Sequence, residues 1–402
     1  MKDNQAKYPQ LRFKGFTDPW EQRKLGEIFL ERKSRSSDGE LISVTIKTGV
    51  VKANDLNRRD NSSFDKSNYK TVQKGDIAYN SMRMWQGASG YSPFNGILSP
   101  AYTVLKPKSY DVNSEFFAYM FKKKPMLQCF QRSSQGLTSD TWNLKYPALS
   151  SIQVKVPSVE EQIKIAGLFK KVDHLIALHQ RKLAMLKELK QGYLQKLFPQ
   201  NGSKFPQLRF AGFADAWEER KLGQYTKLIT KGTTPKDKTG IGDVNFVKVE
   251  NITNGKIYPI NKIKQNEHDN YLKRSRLEEK DILFSIAGTL GRTAIVNKSI
   301  LPANTNQALA IIRGYDFDTN FLITSLAGNV VKKYIRRNPT VGAQPNLSLE
   351  QVGNLLVNTP NAEEQQKIGS FFKQLDDTIA LHQRKLEKLQ ELKKGYLQKM
   401  FC

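Results

Sequence analysis

Two long stretches of this chain place apolar residues at a helical period. Over residues 158–198, Ile165, Leu168, Val172, Leu175, His179, Leu186, Leu189 and Tyr193 fall on a and d positions of one heptad frame, with Ile176 and Leu183 widening the stripe. Over residues 361–401, Ile368, Phe371, Leu375, His382, Leu389, Leu392 and Tyr396 keep the same frame, and 26 of the 41 positions are identical between the two stretches. Each opens on a start signal: Pro157-Ser158 precedes Glu160-Glu161, and Pro360-Asn361 precedes Glu363-Glu364, acids suited to a helix N-terminus. About 37 residues without proline make a helix of roughly 55 Å, which is the length of a strut. The pattern predicts two long helices that pair antiparallel. His179 and His382 each lie near a helix midpoint, where a polar pair would fix the register.

Outside the helices the apolar pattern shortens to strands bounded by turn residues. A second repeat, matching at 14 of 22 positions, links residues 8–29 with 205–226 through "PQLRF", "GF", Trp20 or Trp217, and "RKLG". The chain is thus a tandem of entry segment, variable region and helix. Residues 30–156 read as short strands ("ISVTI", "GDIAYNSMR", "AYTVLKP"), a helix over 114–131, the polar loop "RSSQGLTSDTWNL" and the strand "SIQVKVP". Residues 227–359 repeat that order with "VNFVKVENI", "KDILFSIAGTLGRTAIV", "QALAIIRG", a helix over 320–337, "NPTVGAQPNLS" and "NLLVNTP". The expected fold class is α+β: two mixed α/β recognition domains, 1–157 and 199–360, spaced by long helices at 158–198 and 361–402 that pair as an antiparallel coiled coil with a pseudo-two-fold internal repeat.

Charge then indicates the partner. The net charge is +26, and residues 1–157 and 199–360 carry +11 and +9 of it, so the variable regions are the basic parts. That distribution favours a nucleic acid over a small acidic ligand. No apolar run is long enough to cross a membrane. The polar N-terminal residues, with Cys129 and Cys402 as the two cysteines, lead us to expect a cytoplasmic protein without disulfides.

Catalytic signatures are lacking. "GTLGRT" at 288–293 has neither the spacing nor the lysine of a phosphate-binding loop, and "NPTV" at 338–341 lacks the aromatic of an adenine methyltransferase motif. Glu278-x-Lys280 with Asp269 is a spacing that arises by chance in a chain that is 25% charged, and four histidines with two distant cysteines do not make a metal site. The polar loops are candidates for base reading: Arg83, Trp85 and Gln86, then Ser139, Thr141 and Asn143, in the first domain. In the second they are Lys231, Thr233, Thr234 and Lys236, then Thr289 and Arg292, the run 304–307 with Asn306 and Gln307, and finally Gln344 and Asn346. Arginine suits the guanine edge and asparagine or glutamine the adenine edge. Lys122, Lys123 and Lys124, with Arg274 and Arg276, are expected at phosphates.

The "GF...W...KLG" entry segment and the "VKVPSVEEQIKIAGLFKKVDHLI" and "LVNTPNAEEQQKIGSFFKQLDDTI" junctions resemble the specificity subunit of a type I restriction-modification enzyme, as does "GAQPNLS". The resemblance covers essentially the whole chain. It implies a non-catalytic DNA-binding subunit whose two target recognition domains each read half of a split sequence. It implies helices that set the spacing and bind two methyltransferase subunits, with two restriction/translocase subunits added for cleavage. S-adenosylmethionine, and ATP with Mg²⁺ for restriction, would be needed by the complex and not by this chain, in DNA methylation and phage defence. Because the two domains differ, the target is expected to be asymmetric. "TSDTWNL" departs from the "GxQxNLS" form of the second domain. The main alternative is a stand-alone two-domain DNA- or RNA-binding protein.

Overall fold

The computed structural model describes residues 8–56, 62–200, 202–253, 255–259, 261–328, 330–331, 334 and 346–402. The chain forms two compact units, Met1–Gln180 with Arg384–Cys402, and Arg181–Gln383. Each therefore takes one half of each long helix, Val159–Lys196 and Ala362–Lys399.

Both globular parts carry the same four-stranded antiparallel sheet. In the first unit the order is Phe29–Glu31, Tyr102–Pro107, Ile77–Asn80, Ser89–Tyr91; in the second it is Thr226–Lys231, Leu309–Tyr315, Ile282–Ser285, Thr293–Ile295. The central strands read IAYN and ILFS, apolar on both faces, because one face packs on helices and the other on smaller strands. The entry repeat supplies strands Glu21–Lys24 and Glu218–Lys221, which pair antiparallel with the domain-closing strands Gln153–Val156 and Leu356–Thr359. The helix expected over 114–131 is two, Ser114–Met120 and Lys124–Ser133, because Pro125 in the first turn of the second cannot continue the first. Its counterpart is Thr319–Ala327, stopped by Gly328 at its C-cap.

The two copies of Pro-x-x-Glu-Glu-Gln are built alike. Glu161 is fully buried and takes a bidentate pair from Arg12, with Nε and Nη2 each at 2.8 Å; Glu364 takes the same pair from Arg209 at the same distances. The next residue, Gln162, donates to the Pro157 carbonyl at 3.0 Å and accepts from the Asn113 amide at 2.9 Å. Gln365 repeats this with Pro360 and Asp318, both at 3.0 Å. The motif thus ties three things to the helix start: the entry segment, the closing strand and the helix that begins at Ser114 or Thr319. A bidentate guanidinium is what makes a buried carboxylate tolerable.

Each helix also ends in a core. In the first unit Phe401 meets Trp20 at 6.4 Å, Phe116 at 5.2 Å and Phe169 at 5.8 Å between ring centroids. In the second, Phe198 meets Trp217 at 5.9 Å, Phe321 at 5.8 Å and Phe372 at 6.0 Å. Asp173 pairs with Lys393 at 2.5 Å in one unit and Lys190 with Asp376 at 2.5 Å in the other. Within each unit the half-helices therefore run in opposite directions.

The buried set keeps one of the two expected heptad positions, at 165, 172, 179, 186 and 193, together with 176 and 183, and moves the other from 168, 175 and 189 one residue on. Positions 165, 169, 172, 176, 179, 183, 186, 190, 193 and 197 are buried or half-buried, and so are their equivalents 368 to 400 at the same spacing. Leu175 and Leu189, assigned to the seam, are 41% and 48% exposed, and Leu392 is 42% exposed. The sequence offers two adjacent apolar frames. Phe169 and Phe372 are fully buried, while Leu168 and Phe371 beside them stay half-buried against the same cores.

Candidate nucleic-acid interface

In the first unit two loops meet at one end of the four-stranded sheet. Strand Ile77–Asn80 runs into the Met84–Gln86 turn, and the Leu144 amide donates to the Ser81 carbonyl at 2.8 Å, which draws the 135–143 loop alongside. Trp85 and Trp142 close the junction edge to face, with ring centroids 5.2 Å apart, and the Trp85 indole donates to the Met82 carbonyl at 3.2 Å. Arg83, Ser139 and Thr141 are exposed on these loops, whereas Gln86 and Asn143 are half-buried. The candidates of the first unit are brought together, with Trp85 as the buttress of the loop.

Of the three lysines expected at phosphates only Lys124 is exposed. Lys122 donates to the carbonyls of Ile46 and Gly87, and burial followed by the nearby Lys393 ammonium lowers its pKa to about 8. Lys123 is buried, and its Nζ donates to the Cys402 carbonyl at 2.7 Å. Both ammonium groups are spent on backbone oxygens.

The second unit repeats the arrangement with different side chains. The Leu347 amide donates to the Ile286 carbonyl at 2.8 Å, as Leu144 does to Ser81, and Ala287 bridges to exposed Asn346. Beside it, the Thr233 amide donates to the Thr305 carbonyl at 2.9 Å, Thr234 bonds the Gln307 side chain, and half-buried Asn306 caps the Ala308 amide at 3.3 Å. Because the Ile286 amide donates to the Ala308 carbonyl at 2.9 Å, these loops form one continuous edge. Exposed Lys231 ends the first strand, and Lys236 lies 4.6 Å over the half-exposed ring of Tyr271, an aromatic that polar-loop patterning had not singled out.

Other candidates of this unit are placed differently. Asn304 is fully buried and bonds His268, the Leu272 carbonyl and Ser275, so it supports the loop and does not read bases. Arg276 is held by the His268 carbonyl and by Asp269, both at 2.9 Å, while Arg274 is exposed. Arg292 donates to the carbonyls of Val249 and Ile252 at 3.3 Å, and Thr289 is exposed on the same loop. Gln344 lies outside the described residues. The acids of the Glu278-x-Lys280 and Asp269 spacing are engaged: Glu278 pairs with Arg313, as buried Asp281 does, and Asp269 pairs with Arg276. Among the described residues no cluster of histidine, cysteine and acidic groups could hold a metal, and no helix is long and apolar enough to cross a membrane.

Repeated scaffolds that end in dissimilar polar loops define a recognition protein. The family model for the type I restriction modification DNA specificity domain matches this chain twice, over residues 17–188 and 214–391, and the chain belongs to that family. It is similar to the specificity subunit of the MjaVIII type I restriction enzyme of Methanocaldococcus jannaschii, 22% identical over 80% of this chain and 77% of that one. It is also similar to the HindI specificity subunit of Haemophilus influenzae, 21% identical over 77% of this chain and 83% of that one. The crystal structure of a type I restriction-modification S subunit from M. genitalium shares the fold, with a TM-score of 0.64, 16% identity, and 98% and 99% of the two chains covered. Specificity subunits are the non-catalytic recognition components of these enzymes.

Proposed function

We propose that this chain is the subunit that chooses the DNA sequence for a type I restriction-modification complex, each unit reading one half of a split, asymmetric target. The observation that carries this reading is the repeat itself. Identical Arg–Glu and Gln–Pro fastenings and the same sheet topology hold loops that differ in nearly every side chain. Two equal readers would need equal loops.

The boundaries we assign are 1–157 and 199–360 for the recognition domains and 158–198 and 361–402 for the helices. The helices pair as an antiparallel coiled coil along their length, with His179 and His382 setting the register. Their outward faces dock two methyltransferase subunits: Leu175, Leu178, Met185 and Leu189 of the first helix are exposed between lysines, an apolar stripe that water disfavours. Two restriction/translocase subunits complete the assembly. S-adenosylmethionine, ATP and Mg²⁺ are bound by those partners, in the cytoplasm.

The test is selection from a randomised duplex pool with the purified chain, alone and with its methyltransferase subunit. We expect one split motif to be enriched fully only with the partner present. Full specificity from the chain alone would favour the stand-alone binder, and methylation or cleavage by the chain alone would overturn the non-catalytic assignment.

A further inference from the structure

The 135–143 loop of the first unit carries an apolar side chain at a tip whose neighbours, Thr138, Ser139 and Asp140, are polar. Leu137 is fully exposed, at 101% of its reference area, and Met82 beside the Trp85 turn is 40% exposed. Exposing a leucine at a loop tip gains nothing for folding, and the loop that presents it is not loose. Gln135 and Asn143 exchange two backbone hydrogen bonds, 3.0 and 2.8 Å, an isolated bridge that closes the base of the loop. Inside it the Thr138 amide donates to Thr141 Oγ1 at 3.1 Å, and that hydroxyl donates back to the Thr138 carbonyl at 2.9 Å. Gly136 sits at φ +146°, and a Cβ there would lie 2.7 Å from the Thr141 carbonyl, so the turn into the tip requires glycine. Trp142 on Trp85 anchors the base of the loop.

The apolar group that the major groove of B-DNA offers to a protruding side chain is the thymine methyl. The side chains flanking Leu137 in the loop, namely Gln135, Thr138, Ser139 and Asp140, are hydrogen-bonding groups suited to base edges. A protein partner would be met by a wider apolar patch than one leucine with a half-exposed methionine. We infer that Leu137 is a specificity-determining residue that packs against a thymine methyl group in the half-site read by the first unit. The inference rests on the proposed DNA-reading function and assigns one base of it.

The test uses the chain assembled with its methyltransferase subunit on the selected duplex, each thymine of the first half-site replaced in turn by deoxyuridine. One replacement is expected to weaken binding of the unsubstituted protein roughly fourfold, the transfer of one methyl group. Leu137→Ala should lose a similar factor on thymine and be indifferent to that same deoxyuridine. A first half-site without an A·T pair, or a deoxyuridine effect that persists undiminished in Leu137→Ala, would overturn the inference while leaving the specificity role intact. So would base unstacking at the site that Leu137→Ala abolishes, because the leucine would then be a wedge. Absence of any sequence-specific binding would instead defeat the reading on which the inference stands.

Discussion

Arg12 and Glu161, with Arg209 and Glu364, show how much of this fold turns on single residues. The carboxylates are 1% exposed and the guanidinium groups 14%, so removing the arginine leaves a buried charge without a partner. Arg12→Ala is expected to destabilise the first unit by about 3–5 kcal/mol, whereas Arg12→Met with Glu161→Met should come close to the parent. Denaturant unfolding of the two variants checks this; equal losses would mean that the pair acts through its shape alone. Lys122 gives a pH dependence. Its ordinary pKa of 10.5 falls to about 8 in the folded chain, so between those values the unfolded state holds more of the proton and stability rises with pH. Relative to Lys122→Met, the parent should gain up to about 3 kcal/mol from pH 7 to pH 10. A constant difference across that range would contradict the burial of its charge.

Among the elements, the long helices, the entry repeat and the central strands around IAYN and ILFS were legible in the chain, because a 26-in-41 repeat and short apolar runs bounded by turn residues are local signals. One of the two heptad positions was legible as well, and the other was not. Leu168 and Phe169 both suit a seam, and only the facing residues decide which one is buried; the same choice displaced Leu175 and Leu189 to the surface. The arginines that clamp each helix start were visible as repeated letters in "PQLRF", but their partners lie 149 and 155 residues away. The terminal aromatics of the helices follow the same logic. Phe401→Ala should cost the first unit about 3–5 kcal/mol and leave the second unchanged, with Phe198→Ala doing the reverse. Amide hydrogen exchange resolves the units; a loss of protection spread evenly over both would contradict their separate cores.

For the molecule as a whole, the basic charge and the duplicated scaffold were readable from sequence, while the reading loops were only bracketed. Polar residues at loop positions do not disclose which side chains are turned inward: Asn304 and Lys123 went to the interior, Arg292 to nearby carbonyls, and Leu137 to the outside. Position relative to the sheet end separates them, and that is a tertiary property. The claim that joins these levels is that one chain with two unlike readers selects one split, asymmetric DNA sequence. It is tested most directly by single-molecule sequencing of modified bases in cells that carry the cognate methyltransferase subunit, with and without this chain. A bipartite motif with unequal halves, methylated only when the chain is present, is the predicted result. A palindromic motif, or no motif that depends on the chain, would contradict the account.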